Sequence, residues 1–247
     1  MLYIIVSVKN DNYGLKKTLS SFLSEDSNKF KCIIVDKSDY ELVDFSHFNF
    51  DISYCRQEDN GIYQAFNFGI NQVNDSNDWI IFVNSGDYLE PDAINNINKY
   101  IQISKAHMFF LPTYSAGGYK TGVELKKIMF GCDNVFPGHS SSFITTKKVY
   151  DDLGAYNTKY KYMSDYDFFL KAIDKGYVYE VISNSFGIFT FGGFSSTNSY
   201  VKKRLEEVEI YRSNLKKYKF SKLIYIILYS RIQIIYGLLK NSFRWLK

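Results

Sequence analysis

The sequence predicts an α/β fold: a mostly parallel sheet flanked by helices, followed by a helical tail. Three observations lead there. Short uninterrupted apolar runs, each stopping at small polar or acidic residues, alternate with stretches of helical spacing, the pattern that strand–helix–strand crossovers produce. The 247 residues are 46% hydrophobic, enough to bury one sizeable domain with an appendage. From Ile210 onward the composition changes: nine Lys or Arg and no Asp or Glu, among abundant Tyr, Phe and Trp.

Each element has its own signal. Residues 2–8 are an apolar run that ends at Lys9-Asn10-Asp11-Asn12, as a strand buried on both faces would. Residues 13–23 place Leu15, Leu19, Phe22 and Leu23 on one helical face. Residues 30–35 form a second buried strand ending at Asp36, and residues 52–56 a third. Residues 61–73 have helical spacing. Trp79-Ile80-Ile81-Phe82-Val83 is a core strand that stops at Asn84-Ser85-Gly86-Asp87. Residues 91–103 predict the next helix and 107–112 another strand. Beyond Gly117 the pattern loosens; residues 143–146 read as a strand, 149–154 as a short helix closed by glycine, and 166–175 as a longer helix stopped by Gly176. Residues 178–182 and 186–191 read as strands. Gly192-Gly193 then breaks the chain, as a flexible lid or as a tight turn, and residues 201–219 read as a polar helix.

Several classes of function are excluded. No G-x-G-x-x-G follows the first strand and no G-x-x-x-x-G-K-[ST] occurs, so neither a dinucleotide fold nor a P-loop is supported. Cys32, Cys55 and Cys132 are far apart and odd in number, which supports neither a zinc site nor a disulfide framework and fits a reducing compartment. The N-terminus enters a strand directly and has no signal-peptide pattern. The formal charge of +4 is concentrated in the tail, and the remainder is net acidic. A nucleic-acid binder would carry its charge on the binding face, so the layout predicts no nucleic acid and instead a body attached to an anionic surface.

In an open parallel sheet, ligands bind beyond the carboxyl ends of the strands. Three such ends converge here: Ser7 and Lys9, Asp36, and Asn84 to Asp87. Asp87 has two readings. It holds a hard cation against a phosphate, or it caps the helix that Pro91 introduces. Without a glycine cradle, a phosphate at this edge depends on a cation and on side chains.

At this point the residues resemble a known family. The run Glu58-Asp59-Asn60-Gly61-Ile62-Tyr63-Gln64-Ala65-Phe66-Asn67-Phe68-Gly69-Ile70, followed by the Trp79 strand and Asn84-Ser85-Gly86-Asp87, is similar to glycosyltransferase family 2. Two further blocks follow in order: Gly138-His139-Ser140-Ser141-Ser142-Phe143, similar to the family's H-Q-x-x-F, and Ser164-Asp165-Tyr166-Asp167-Phe168-Phe169-Leu170-Lys171, similar to its A-D-Y-D-F-x-L-R. Gln64 stands where the family usually has an acid and Ser140 where it has Gln. The likeness covers roughly the first 200 residues and is strongest to bacterial enzymes that assemble O-antigen and other surface polysaccharides.

The resemblance implies a GT-A fold, with residues 1–112 holding a nucleotide-sugar, 113–200 the acceptor, and 201–247 forming the basic, aromatic tail. It implies an inverting, metal-dependent transfer from a nucleotide-sugar, expected to be a UDP-hexose. The acceptor would be a hydroxyl of a polyprenyl-diphosphate-linked saccharide, in O-antigen or capsule synthesis. Asp36 would contact the nucleoside, with Ser7 and Lys9 lining its pocket. Asp59, Gly61, Ala65 and Asn67 would flank the donor, joined by Asn84, Ser85 and Gly86. Asp87 matches the metal-binding acid of the D-x-D motif, Asn84 standing at its first acid, and the cation would be Mn2+ or Mg2+. Asp165 matches the general base. His139, Ser140 and Tyr166 fall on the acceptor side. Bland alternatives stand beside these roles: Asn67 as a helix-surface residue, Gly61 as a helix start, His139 as a loop residue, Asp165 as a dipole-offsetting charge and Asp167 as structural.

The tail allows two readings as well. Residues 223–239 fall short of the ~20 apolar residues a span needs and are interrupted by Ser230, Arg231 and Gln233. Either the helix lies in a membrane interface or it packs on the body or in a homo-oligomer. The first places the protein in the cytoplasm, peripheral on the inner face of the membrane. Two rival functions remain at this point: a sugar nucleotidyltransferase, and a non-catalytic carbohydrate-binding protein on the same fold.

Overall fold

The computed structural model describes residues 1–40, 44–58, 61–115, 120–121, 124–128, 132–136, 139–182, 184, 186–190 and 200–213, with the single positions 228, 231, 232 and 235. In chain order the strands are β1 (Leu2–Val8), β2 (Phe30–Asp36), β3 (Ile52–Arg56), β4 (Trp79–Phe82), β5 (Tyr88–Leu89), β6 (Met108–Phe110), β7 (Thr113–Ser115), β8 (Lys120–Thr121), β9 (Glu124–Ile128), β10 (Cys132–Phe136), β11 (Phe143–Thr146), β12 (Tyr179–Val181) and β13 (Gly187–Phe189). The helices are α1 (Asn12–Ser20), α2 (Ile62–Ile70), α3 (Ala93–Ile103), α4 (Lys147–Leu153), α5 (Ser164–Asp174) and α6 (Tyr200–Ser213), with one 3-10 turn at Ser140–Ser142.

Among the described residues the main sheet has seven strands in the order β12-β6-β11-β4-β1-β2-β3. All are parallel except β11, which runs antiparallel to both β4 and β6. The strand order reverses at β1, with β2 on one side and β4 on the other. That makes the β1/β4 boundary the switch point where a crevice opens outside the carboxyl ends. A smaller sheet, β5-β13-β7-β8, stands beside it.

Two apolar layers hold the main sheet. One packs α1 and α3 through Leu15, Leu19, Ile94 and Ile97 against Ile4, Val6, Ile34 and Ile81. The other packs α2, α4 and α5 through Tyr63, Phe66, Tyr150, Phe168 and Phe169 against Ile5, Ile33, Ile80 and Phe82. Burial on both faces is why these strands read as unbroken apolar runs. Phe66 stacks on Phe82 with ring centroids 4.1 Å apart, and Trp79 stacks on Phe109 at 4.9 Å. Close approach of α2 to β1 depends on Gly69, where an added Cβ would sit 2.5 Å from Ile5 Cγ2.

The sequence elements appear with trimmed ends. α3 starts at Ala93 because Glu90 accepts from the Ala93 N–H to form a turn first, and Asp92 occupies the cap position. That removes the helix-cap reading of Asp87, which instead leads into β5. The loose region contains the short strands β7 to β10, whose apolar content is too low to signal burial. Gly192-Gly193, Asp59, Gly138, residues 214–219 and the tail lie outside the described residues, apart from four tail positions. Those four, Leu228, Arg231, Ile232 and Ile235, are helical and exposed. No helix of the described residues is long and apolar enough to cross a membrane.

Candidate active site

The Asn84–Asp87 segment is a turn fixed from several directions. The Asp87 N–H donates to the Asn84 carbonyl at 3.0 Å, and Gly86 takes φ +91° inside the turn, a backbone region that only glycine enters without strain. The Ser85 N–H continues the ladder to the Ser7 carbonyl at 3.0 Å. Thr18 of α1, fully buried, closes it from below: its hydroxyl accepts the Gly86 N–H at 3.0 Å and donates to the Asp87 carbonyl at 2.5 Å. The Ser85 hydroxyl donates to the Asp11 carboxylate at 2.8 Å. Ser7 Oγ donates to Asn84 Oδ1 at 2.8 Å, and Asn84 Nδ2 donates to Ser140 Oγ at 3.0 Å. Asn84 therefore ties β1 to the 3-10 turn across the switch point. An aspartate there could accept from Ser7 but not donate to Ser140.

Asp87 is 4% exposed. Antiparallel pairing of β5 with β13 brings the Thr190 N–H to Asp87 Oδ1 at 2.9 Å. Its other oxygen, Oδ2, faces His139 Nε2 at 3.4 Å. Burial pushes the Asp87 carboxyl up to about 7, against the opposing pull of the Thr190 N–H, the Asn84 side chain and the Lys17 charge. Burial pushes His139 down to about 4, so the imidazole is neutral at pH 7 and the contact is not an ion pair. The His139 ring stacks on Phe189 with centroids 5.0 Å apart, and Nδ1 lies 3.0 Å from Ser141 Oγ. His139, expected on the acceptor side, thus stands beside the metal-site candidate. Two donor atoms of the kinds that divalent cations take, a carboxylate oxygen and an imidazole nitrogen, face each other there. Among the described residues no group of three His, Cys, Asp or Glu is gathered anywhere.

Asp165 opens α5 in the other helical layer. Tyr63 OH donates to Asp165 Oδ1 at 3.0 Å, and the Tyr166 N–H donates to the same oxygen at 2.8 Å. Burial raises its carboxyl to about 6, opposed by the Tyr166 N–H, the Tyr63 hydroxyl and the Lys203 charge. Tyr63 lies in the first turn of α2, which begins at the carboxyl edge of the parallel strands, and α5 begins at the same edge before β12. The topology thus sets Asp87 and Asp165 on one edge of the sheet, Asp87 turned toward the α1 layer and Asp165 held in the α2–α5 layer.

The other predicted residues fall as follows. Asp36 is fully buried at the end of β2; its oxygens accept from the Ser38 N–H and from Tyr54 OH, each at 2.7 Å. Ser7 is buried and Lys9 exposed at the end of β1. Gly61 is the exposed residue before α2, while Ala65 packs inside the α2–α5 layer. Asn67 uses both ends of its amide on Tyr156: Nδ2 donates to the Tyr156 carbonyl at 2.8 Å and Oδ1 accepts its N–H at 3.0 Å. Ser140 meets Asn84. Tyr166 is buried with Tyr160, Met163 and Ile210, against α6. Asp167 is 3% exposed and pairs with Lys171 at 2.5 Å, the structural role expected of it.

Thr18, Tyr63, Thr190 and Glu206 did not stand out as functional in sequence. Glu206 of α6 accepts the N–H groups of Lys161, Tyr162 and Met163 at 2.9, 2.8 and 3.0 Å, just before Asp165. Thr18 left one signal, a hydroxyl on the apolar face shared by Leu15, Leu19 and Phe22; the rest depend on long-range pairing.

Comparison with known proteins gives the family and the fold. The family Glycosyl transferase family 2 matches residues 3–176. The chain is 26% identical over 163 residues to Glycosyltransferase GlyA of Streptococcus pneumoniae serotype 4, covering 64% of this chain and 21% of the relative. It therefore spans about a fifth of that protein's length. Its fold is similar to S. aureus TarS 1-349 in complex with UDP-GlcNAc, with TM-score 0.68, 16% identity, and 94% of this chain and 72% of that one covered. It is also similar to the mannosyltransferase PcManGT from Pyrobaculum calidifontis in complex with GDP-Man and Mn2+, with TM-score 0.65, 10% identity, and 98% and 72% covered.

Proposed function

The chain belongs to glycosyl transferase family 2, and from that premise we propose that it is an inverting glycosyltransferase moving a sugar from a nucleotide-sugar to a hydroxyl. The observation that carries the proposal is the placement of Asp87 and Asp165 on one carboxyl edge, one over each helical layer. The donor lies along the β1/β4 switch point, its nucleoside near Ser7, Lys9 and the Asp36–Tyr54 pair, its diphosphate toward Asp87. Asp165 accepts the proton of the acceptor hydroxyl as that oxygen attacks the anomeric carbon from the side opposite the leaving diphosphate, which inverts the centre. An α-linked donor then gives a β-linked product. With its carboxyl near 6, Asp165 is largely ionised at neutral pH and more basic than a free aspartate.

The residues fit a divalent cation. Asp87 Oδ2 and His139 Nε2 would hold it; His139 Nδ1 accepts the Ser141 N–H at 3.4 Å and lies 3.0 Å from Ser141 Oγ, so presenting the Nε2 lone pair to a cation would require the ring proton to move to Nδ1, where Ser141 Oγ would accept it. Such a cation, when bound, offsets the charge of the diphosphate leaving group. A mixed oxygen and nitrogen donor set favours Mn2+ over Mg2+, and the similar mannosyltransferase was solved with Mn2+. Asn84 and Thr190 orient the Asp87 carboxylate; Gly86 lets the turn close near Thr190.

The donor is a UDP-sugar by analogy with the TarS complex. The acceptor is a lipid-linked saccharide in surface-polysaccharide synthesis, at the cytoplasmic face of the membrane. What supports this is the basic, aromatic tail and the helical spacing of its exposed Leu228, Ile232 and Ile235 beside Arg231. The test is release of nucleoside diphosphate from a donor panel with Mn2+ and short saccharide acceptors, followed by assignment of the new anomeric centre. Diphosphate release with inversion supports the reading. Pyrophosphate release from a nucleoside triphosphate and a sugar phosphate would replace it with a nucleotidyltransferase.

A further inference from the structure

Asp165 has two oxygens in different circumstances. Oδ1 accepts both Tyr63 OH, at 3.0 Å, and the Tyr166 N–H, at 2.8 Å. Oδ2 accepts no hydrogen bond from the described residues. Both fixed donors fall on one oxygen, so the carboxylate is held in one rotation with Oδ2 turned away from them. Tyr63 is itself backed. Its ring packs on that of Tyr156 at 5.3 Å, and Tyr156 is fastened through its main chain to Asn67, one helical turn after Tyr63 on α2. Tyr156 OH meets Tyr150 OH at 3.1 Å in the buried layer behind.

We propose that Tyr63 is a positioning residue for Asp165, with Asn67 and Tyr156 as its support, so that Oδ2 alone is presented to the acceptor hydroxyl. The proposal rests on Asp165 being the general base. It gives the Tyr63 and Asn67 positions of the Asp59–Ile70 block a task different from the donor contact expected for Asn67: α2 braces the base. Three features make Tyr63 suited to this. A phenol donates one hydrogen bond and carries no charge that would compete for the proton. Burial and the neighbouring Asp165 hold its own ionisation well above the ordinary tyrosine range, so it stays a donor. Two aromatic walls fix its ring.

A hydrogen bond to a carboxylate favours the ionised form. The other groups around Asp165 are Tyr63 from α2, Tyr150 from α4, Tyr156 from the connecting loop, and Lys203 and Glu206 from α6. Of these, Tyr63 and Lys203 lower the carboxyl's proton affinity. Tyr63→Phe deletes the hydroxyl and keeps the ring, so it removes one of the two without disturbing the layer.

The experiment is a pH–rate profile of the full chain carrying Tyr63→Phe, beside wild type and Asp165→Asn, with melting temperatures for each. The expected result is a fall in kcat of about ten-fold, an unchanged KM for the donor, and an acid limb moved to higher pH by about one unit. Melting temperatures taken at each pH of the profile show whether the sample stays folded across the limb, which separates a shift of the base from pH-dependent unfolding. A Tyr63→Phe profile that superimposes on wild type, with Asp165→Asn inactive, overturns the brace and leaves the base in place. Full turnover in Asp165→Asn overturns the base assignment, whatever Tyr63→Phe does.

Discussion

The hydroxyl of Thr18, in the last turn of α1, is bonded to the main chain of two consecutive residues of the turn that carries Asp87: it donates to the Asp87 carbonyl and accepts the Gly86 N–H. A residue 69 positions away in sequence thus fixes the main chain from which the metal-site candidate projects. Thr18→Val keeps the shape and removes both bonds, leaving two main-chain groups buried without partners. The expected loss of stability is about 1–3 kcal/mol, read as a lower denaturation midpoint, with Thr18→Ser close to wild type.

Asp87→Ala removes one of the two facing donor atoms, and His139→Ala removes the other together with its stack on Phe189. Each should weaken Mn2+-dependent donor binding in calorimetry while leaving metal-free nucleotide binding nearly unchanged. Equal losses with and without Mn2+ would mean the pair serves the pocket's shape instead.

Asp165→Asn should lower kcat by roughly 10²–10⁴-fold, the usual weight of general base catalysis, at unchanged donor affinity. The native rate should rise with pH through about 6. Stability should move the opposite way. The folded carboxyl binds its proton more tightly than the unfolded one, so the native state loses stability as pH rises from about 4 to about 6 and carries the full cost above that. Asp165→Asn should therefore melt higher than wild type at pH 7, by an amount on the order of 2 kcal/mol. The advantage should vanish near pH 4, which differential scanning calorimetry at the two pH values will check.

Glu206 holds three successive main-chain N–H groups at the entrance to α5, and Ile210 of the same helix is fully buried beside Tyr166. α6 lies beyond the family match at residues 3–176, yet it holds the segment that leads into α5, whose second residue is Asp165. Glu206→Ala should lower stability by about 1–3 kcal/mol and speed amide hydrogen exchange at residues 161–163. Glu206→Gln, which keeps an acceptor oxygen, should lose less.

Leu228, Ile232 and Ile235 are exposed at helical spacing next to Arg231. Changing the three to serine should shift the protein out of the bound fraction in flotation with anionic vesicles. Unchanged partitioning, with a lower melting temperature, would assign the tail to packing on the body.

The alternation of apolar runs and helical segments was sufficient to give β1 to β4, α1 to α3, β11, α4 and α5; the clearest were β1, β2 and β4, because a strand buried on both faces has no polar side to interrupt its signal, whereas the edge strand β3 is largely exposed. The carboxyl edge was legible for the same reason: the runs end at Ser7, Asp36 and Asn84 to Asp87, the residues proposed above to receive the donor. What sequence alone left open about Asp87 was a local choice between cap and ligand. Tertiary structure removed the cap, since Asp87 leads into β5 and β13 brings Thr190 and Phe189 against Asp87 and His139; the ligand role is the proposal made above. The weaker elements β7 to β10 are short and too polar to announce themselves. The brace behind Asp165 was invisible for a further reason. Tyr63 and Asp165 are 102 positions apart, and no periodicity within either helix records that their side chains meet. A one-dimensional pattern reports which face of an element is buried; only packing of two elements determines which hydroxyl lies against which carboxylate.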